Sequence, residues 1–338
     1  FGAPGTGKSY QLNQLARESF AKENISRVTF YPDYTYSQFV GCYKPCTNDD
    51  GDITYGYAAG PFLDTYLNAC MHPYDQYLLI IEEINRANPA AVFGDAFQLL
   101  DRNAGGWSEY SVTAPDDMEK HIARRLSSLS KEERSSVEAY YDPDMDFDEF
   151  SRSAKNDLAL PPNMFIWATM NSADQGVYPM DTAFKRRWDF RYIGIDDGED
   201  SEVAIEDEKK RLSDVVVSWG AESKFKANWN ALRKAINGFL SNDAKLNEDK
   251  LLGPFFVDPS SLTDARFGAA FKNKVLLYLY EDACKTKHSK VFAGDLSSYS
   301  AVCEAFDERG TDIFIDGFKT HYKEESITPS EDNASPEE

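Results

Sequence analysis

The chain has 338 residues, of which 42% are hydrophobic and 28% are charged, enough for about two domains with substantial cores. Its 57 acidic side chains outnumber the 36 basic ones, and the net charge of −21 argues against direct binding of nucleic-acid phosphates by this segment. No apolar run reaches the roughly 18–20 residues of a membrane span, and the five scattered cysteines lack the paired spacing of a zinc site. We therefore expect a cytoplasmic protein with free thiols and no membrane association.

The chain opens with a phosphate-binding pattern. Residues 2–9 read Gly-Ala-Pro-Gly-Thr-Gly-Lys-Ser and match G-x-x-x-x-G-K-[ST] in full. Glycines let the backbone turn successive N–H groups toward a β-phosphate, while Lys8 can reach the β- and γ-oxygens and the Ser9 hydroxyl can ligate Mg²⁺. We assign nucleotide binding to the loop residues Gly2, Pro4, Gly5, Thr6, Gly7, Lys8 and Ser9. A helix should follow, and the strand that normally precedes such a loop is expected upstream of Phe1.

Short apolar runs predict the strands of a sheet. Arg27–Tyr31 is rich in β-forming residues. Three further stretches are typical of strands buried on both faces, namely Tyr77–Ile81, Met164–Met170 and Phe190–Ile195. Because helical stretches separate these runs, they indicate a parallel sheet with crossover connections. The sequence therefore predicts an α/β fold.

Polar side chains follow two of the apolar runs. Glu82 and Glu83 end the run Tyr77–Ile81, where one carboxylate can hold the water shell of Mg²⁺ and its neighbour can polarise an attacking water. We assign Glu82 to the metal and Glu83 to the water. Asn171 follows the run Met164–Met170, and an amide at that point can hydrogen-bond both the γ-phosphate and the attacking water.

Arg186 and Arg187 form a cationic cluster with Lys185 ahead of the last apolar run. Its functional interpretation is an arginine finger, a guanidinium that reaches the γ-phosphate of a neighbouring subunit and typically accelerates hydrolysis by about 10³–10⁵. The alternative is a solvated sheet edge. A finger that acts in trans requires a ring or a partial ring of subunits.

Composition divides the chain into regions. Residues 114–160 form a polar insert, with one or two exposed helices predicted around Met118–Leu129 and Lys131–Tyr141. Beyond Asp196, amphipathic runs predict mostly helical structure at Val203–Leu212, Trp229–Leu240 and Phe271–Cys284. We therefore predict a nucleotide-binding domain over residues 1–196, a helical lid over 197–320 and an acidic, disordered tail over 321–338.

Together these motifs resemble the AAA+ ATPase superfamily and, more closely, the McrB family, the GTPase motor of methylation-dependent restriction systems. The closer likeness is found in residues 28–41, 79–88, 163–174 and 251–256. The resemblance implies a P-loop NTPase fold, a parallel sheet flanked by helices and followed by a mostly helical lid.

The resemblance also assigns roles to individual residues. Lys8 and Ser9 would bind phosphate and Mg²⁺, and Glu83 would activate water. Asn171 and Asp174 belong to a Met-Asn-x-x-Asp signature. By the same resemblance Arg186 and Arg187 are the fingers, and Arg86 is a supporting charge near the subunit interface.

The function implied by the resemblance is a Mg²⁺-dependent nucleoside triphosphatase motor that forms a hexameric ring. Such a motor drives a separate nuclease subunit in restriction and phage defence, and DNA would be recognised by a missing N-terminal domain or by the partner. One departure concerns the nucleotide. The family signature continues with arginine after its aspartate, whereas Gln175 follows Asp174 here, so that both GTP and ATP stay open as substrates.

Two other functions remain open at this point. A MoxR-like ATPase that remodels proteins shares the loop, the acids and the polar sensor, although the Met-Asn-x-x-Asp signature favours the restriction motor. A nucleotide-gated scaffold with little turnover is suggested by Gln175 and by Glu82, which replaces the aspartate that most such proteins have.

Overall fold

The computed structural model describes residues 1–47, 51–141, 146–171, 176–206, 208–285, 288–294 and 296–322. These residues form two compact units. The first, which we call the α/β unit, comprises Ser9–Met170 and Gly176–Phe190. The second, the C-terminal unit, contains Phe1–Lys8, Asn171 and the described chain from Arg191 onward. The domain boundary after residue 196 stays a prediction.

The α/β unit contains the larger share of the regular structure. Its strands β1 to β7 are Ile25–Thr29, Gly41–Thr47, Ile53–Ala59, Tyr77–Glu82, Val112–Thr113, Asp157–Leu158 and Met164–Ala168. The helices α1 to α8 are Lys8–Ser19, Tyr36–Phe39, Pro61–Met71, Pro89–Phe93, Asp116–Ser127, Lys131–Tyr141, Phe147–Asn156 and Thr182–Lys185.

The main sheet confirms the predicted parallel arrangement. Its strand order is β1-β4-β7, with Ile25 opposite Leu78 and Tyr77 opposite Met164. The central strand β4 is buried on both faces, which explains its continuous apolar sequence. Leu78 and Ile80 pack with Ala16 and Phe20 of the α1 region, and the alternate residues of β4 join the core on the other face.

The described residues of the insert form three helices with buried apolar side chains, rather than one or two exposed helices. Helices α5 and α6 confirm the predicted positions, whereas α7 was not predicted. Met118, Ile122 and Leu126 recur every four residues along α5 and are fully or almost fully buried. The insert is therefore part of the core, although its composition is polar.

The C-terminal unit is less purely helical than its amphipathic runs suggest. Its strands β8 to β11 are Glu202–Ile205, Glu208–Arg211, Val216–Trp219 and Phe225–Asn228. Its helices α9 to α12 are Trp229–Asn242, Phe267–Ala270, Tyr299–Arg309 and Asp316–His321. Two π-helical segments, Phe271–Leu276 and Leu279–Ala283, continue α10. Within the described ranges, no helix has the length and apolarity needed to cross a bilayer.

Two sequence predictions for residues 190–212 were wrong. The run Val203–Leu212, predicted as a helix, forms the antiparallel hairpin β8–β9, whose second strand Glu208–Arg211 is exposed throughout. The run Phe190–Ile195 is not a strand, and Phe190 and Tyr192 are each 45% exposed. The hydrophobic patterns of a strand and of a helix are hard to distinguish over runs this short. Whether such a run forms a strand therefore depends on whether another strand pairs with it. The predicted helices at Trp229–Leu240 and Phe271–Cys284 are confirmed.

Candidate nucleotide-binding site

The phosphate-binding loop turns into α1 at Lys8. Gly5 and Gly7 have φ of 73° and 84°, in the left-handed region that favours glycine. Thr6 is completely buried, and its hydroxyl donates a hydrogen bond of 3.0 Å to the carbonyl of Ala3. The loop is thus held in a turned conformation by a hydrogen bond within it, and turns of this kind direct successive backbone N–H groups toward an anion.

The charges around the loop also suit a phosphate. The first turn of α1 contains no acidic residue of its own, and the positive end of the helix dipole favours an anion at this position. The ammonium of Lys8 donates hydrogen bonds of 3.0 and 2.8 Å to the carbonyls of Gly2 and Ala3. The Lys8 side chain therefore folds back onto the same loop that would bind the triphosphate.

Asn171 lies beside the start of the loop, because it forms a parallel β-bridge with Gly2. This pairing brings together two segments that are distant in sequence, and it puts the first residue of the signature at the start of the phosphate-binding loop. Asp174, the other signature residue, lies outside the described residues.

Glu82 ends β4 and accepts several hydrogen bonds. Its Oε2 accepts from the hydroxyl of Ser9 at 3.0 Å and from the hydroxyl of Thr169, and its Oε1 forms an ion pair with Arg27. A hydroxyl beside a carboxylate supplies the oxygen ligands that Mg²⁺ prefers. Ser9 and Glu82 therefore fit the metal role, and Arg27 is a cation in contact with the same carboxylate.

Glu83 starts a sharp turn after the strand. Its φ of 55° is unusual for a residue other than glycine and costs of order 1–3 kcal/mol. Thr169 holds this turn, because its hydroxyl accepts from the Glu83 N–H at 3.1 Å and its carbonyl accepts from the Ile84 N–H at 3.0 Å. The Arg86 guanidinium lies 3.7 Å from the Glu83 carboxylate. A strained, well-supported turn at the carboxyl end of a buried strand is typical of a catalytic position.

The two candidate finger arginines lie in different environments. The side chain of Arg187 is only 8% exposed and forms an ion pair of 2.7 Å with Asp101. Its guanidinium also lies 4.0 Å from the centre of the Phe97 ring. Arg186 is exposed, and its guanidinium has no partner in the part of the chain that the structure describes. Both line a cleft of about 540 Å³ in the α/β unit.

The same cleft is lined by Arg102, which the sequence did not single out. Its guanidinium donates to four backbone carbonyls: Gly106, Leu160, Pro161 and Met164, at 2.7 to 3.1 Å. Burial lowers the pKa of this side chain to about 10. Arg102 is therefore a structural cation that joins the turn at residues 102–106 to the segment 160–164, which leads into β7.

Residues 1–188 match the family model of the AAA domain, dynein-related subfamily. The match covers more than half of the chain and includes the loop, the acidic strand end and the arginine pair. The chain belongs to the dynein-related AAA family. AAA domains bind and hydrolyse nucleotides, typically with Mg²⁺, and this chain is therefore a nucleotide-binding protein of that class.

Two curated relatives of this AAA protein are restriction-system components. The chain is 39% identical over 335 residues to the type II restriction enzyme BsuMI component YdiS of Bacillus subtilis, an alignment that covers 91% of this chain and 84% of that protein. It is 26% identical over 205 residues to the type IV methyl-directed restriction enzyme EcoKMcrB subunit of Escherichia coli. The second alignment covers 59% of this chain and 35% of that protein. The AAA domain is therefore McrB-like, as the motifs predict.

A solved structure of a protein from Cytophaga hutchinsonii aligns with this chain at 15% identity. The alignment covers 94% of this chain and 73% of that protein's chain. Its TM-score of 0.31 is too low to support any statement about this protein.

Sequence reasoning missed two residues of the AAA site. Arg27 is the one charged residue of β1, whose other residues are apolar or small and uncharged. This charge was the feature of the sequence that could have marked Arg27 as a site residue. Thr169 stands directly before the Met-Asn-x-x-Asp signature, but its hydroxyl contacts with Glu82 and Glu83 depend on strand pairing. The two residues show that the acidic strand end is organised by its neighbouring strands.

Proposed function

We propose that this AAA protein is a Mg²⁺-dependent nucleoside triphosphatase motor of the McrB type, acting in DNA restriction and phage defence. The observation that supports it most directly is the hydrogen bond from the Ser9 hydroxyl to the Glu82 carboxylate. Ser9 directly follows Lys8, to which we assign phosphate binding. A serine placed on an acidic strand end is the pairing that Mg²⁺–triphosphate binding needs. The restriction role is supported by the two named relatives.

Each site residue then has a task. The loop N–H groups and Lys8 hold the phosphates, while Ser9 and Glu82 hold the magnesium ion. When bound, Mg²⁺ would neutralise charge on the phosphate oxygens. Glu83 orients and polarises the attacking water, and Asn171, beside Gly2, would contact the γ-phosphate, with Asp174 completing the signature.

Of the two candidate arginines, we assign the finger to Arg186. A finger must leave its own subunit to reach a neighbour, and Arg186 is exposed and unpartnered among the described residues. Arg187 is held by Asp101 and Phe97, so we assign it the task of fixing the segment that presents Arg186. Arg86 remains a supporting charge next to Glu83.

The assembly that follows is a ring, taken as a hexamer, in which each subunit completes its neighbour's site. A separate nuclease subunit would cut DNA in response to the motor, in the cytoplasm. DNA recognition belongs to that partner or to a domain outside this segment, since the net charge here is −21. GTP and ATP are both retained as substrates.

Hydrolysis of GTP and ATP by the purified chain with Mg²⁺ tests this function. We expect turnover of at least one of them, and Lys8→Ala should abolish nucleotide binding because it removes the charge that reaches the phosphates. Lys22→Ala, at an exposed lysine of the same region, is the matched control and should behave like the parent. A parent chain that binds neither nucleotide would refute the proposal.

A nucleotide-gated scaffold is the second candidate. It is favoured by the ion pair between Arg27 and Glu82, since a guanidinium on this carboxylate competes with Mg²⁺. Tight nucleotide binding with negligible turnover, in the presence of every other component, would support it.

A further inference from the structure

In the C-terminal unit, the segment Leu252–Phe256 lies against the phosphate-binding loop. The N–H of Gly253 donates to the carbonyl of Pro4 at 2.9 Å, and the N–H of Phe255 donates to the carbonyl of Gly5 at 2.8 Å. The approach is so close that a Cβ atom on Gly253 would lie 2.2 Å from the carbonyl carbon of Gly5. Only glycine fits there, so this segment and the loop are built to be in contact.

Helix α9 holds the same segment from behind. The indole N–H of Trp229 donates to the carbonyl of Pro254 at 2.8 Å, and Arg233 donates to the carbonyl of Leu252 at 3.0 Å. The amide of Asn237 both donates to the Leu252 carbonyl and accepts from the Leu252 N–H, each at 2.8 Å. These three side chains are spaced four residues apart and therefore share one face of the helix.

The three side chains are almost completely buried, with exposures of 0% for Trp229 and Arg233 and 7% for Asn237. Buried polar groups that hydrogen-bond a backbone segment fix its position, because breaking such bonds leaves unsatisfied groups in the interior. Helix α9 and Leu252–Phe256 thus form one firm support, which we call the loop brace.

The brace and a nucleotide use opposite sides of the same peptide groups. A phosphate accepts hydrogen bonds from the loop N–H groups, whereas the brace donates to the loop carbonyls of Pro4 and Gly5. Because a peptide unit is planar, fixing its carbonyl also fixes the direction of the N–H attached to it. The two partners therefore favour one conformation of the loop and do not compete.

We propose that Trp229, Arg233 and Asn237 are positioning residues which, through Leu252–Phe256, hold the phosphate-binding loop ready for the triphosphate. The proposal rests on the proposed nucleotide-binding function. Pre-organisation lowers the cost of ordering the loop on binding, and it affects affinity more than the chemical step. By linkage, bound nucleotide must strengthen the brace by the same factor by which the brace strengthens nucleotide binding.

Asn237→Ala tests the brace, because it removes both hydrogen bonds to Leu252. Loss of two hydrogen bonds in this support should raise the Kd of a fluorescent, non-hydrolysable GTP or ATP analogue with Mg²⁺ about tenfold. The kcat at saturating nucleotide should stay within about twofold, a split that general loss of folding would not produce. Asn242→Ala, the same substitution at the exposed end of α9, should change neither quantity.

Hydrogen exchange on the unaltered chain gives a second measurement that no folding defect can affect. The Gly253 and Phe255 amides should exchange about tenfold more slowly when the analogue and Mg²⁺ are bound. Unchanged exchange at both amides, or a folded Asn237→Ala protein with the parent's Kd, would overturn the brace while leaving nucleotide binding intact. If the unaltered chain binds no nucleotide, the proposed function and the brace both fall.

Discussion

The acidic end of β4 shows how neighbouring residues divide one task. Glu82 is engaged by Ser9, Thr169 and Arg27, whereas Glu83 turns away from the strand with a left-handed backbone. Two chemically similar carboxylates therefore have different surroundings, one among hydroxyls and a cation and the other at a supported turn. This difference is the basis for assigning one to the metal and the other to the water.

Glu83→Gln tests that division. The amide keeps the shape of the side chain but cannot act as a base, so the turnover number should fall by about 10² or more while nucleotide binding is retained. Steady-state hydrolysis and binding of a fluorescent nucleotide measure the two effects. Glu23→Gln, at an exposed position of the same unit, is the control, and parental turnover in Glu83→Gln would remove Glu83 from the mechanism.

Arg27 leads to a different prediction about the same cluster. Its guanidinium and Mg²⁺ are cations directed at one carboxylate, so Arg27→Gln should lower the Mg²⁺ concentration for half-maximal nucleotide binding several-fold. A Mg²⁺ titration of nucleotide binding measures this. Arg17→Gln, an exposed arginine near the end of α1, should leave the titration unchanged. An increased Mg²⁺ requirement in Arg27→Gln would mean that Arg27 supports the metal site.

Helix α8 is a short element fixed at several points. Asp181 caps its start by accepting from the Phe184 N–H at 2.6 Å. Phe184 is buried and stacks on Phe97, with ring centroids 5.2 Å apart, and Arg187 is anchored to Asp101. A helix of four residues has little stability of its own, so these contacts decide where Arg186 points.

Asp101→Ala should therefore weaken the α8 region. It leaves the nearly buried charge of Arg187 without its carboxylate, and the free energy of unfolding should fall by about 1–3 kcal/mol. Turnover should fall as well, with nucleotide binding preserved, because Arg186 loses its support. Chemical denaturation and hydrolysis assays measure these changes. Asp95→Ala, an exposed aspartate in the same stretch, is the control, and equal stability of the two variants would contradict the anchor.

The net charge of the chain and the exposure of Arg186 both bear on which molecules the chain would contact. A net charge of −21 opposes direct contact with DNA. The exposed Arg186, which has no partner within the described parts of the chain, favours contact with another subunit. The proposed motor is therefore one whose active site is completed by assembly. Its dependence on a neighbour can be measured without knowing the nuclease partner.

Mixing two inactive variants tests this dependence. Lys8→Ala subunits lack the nucleotide site and Arg186→Ala subunits lack the finger, yet adjacent pairs in the right order contain one complete site. In an equal mixture that assembles at random, about a quarter of the interfaces should be competent, and turnover should recover accordingly. Each variant alone is the control, and absence of recovery at every ratio would place the finger in cis or remove it.

Much of this site follows from the sequence alone. The loop, its helix and the acidic strand end are local features, because glycine conformations, helix starts and a continuous apolar run depend on neighbouring residues. For this reason the amino-acid sequence is sufficient to single out Lys8, Ser9, Glu82 and Glu83, and three apolar or β-rich runs are sufficient to predict the parallel sheet.

Tertiary structure decided the contacts between residues far apart in the chain. Arg27 contacts Glu82 because β1 pairs with β4, and Arg187 is nearly buried because Asp101 and Phe97 lie against it. The hairpin β8–β9 replaced a predicted helix because strand pairing outweighs a weak local period. The conformational preferences of neighbouring residues favour a helix or a strand, whereas packing and strand pairing determine which elements lie together. A sequence pattern carries little information about which elements lie together.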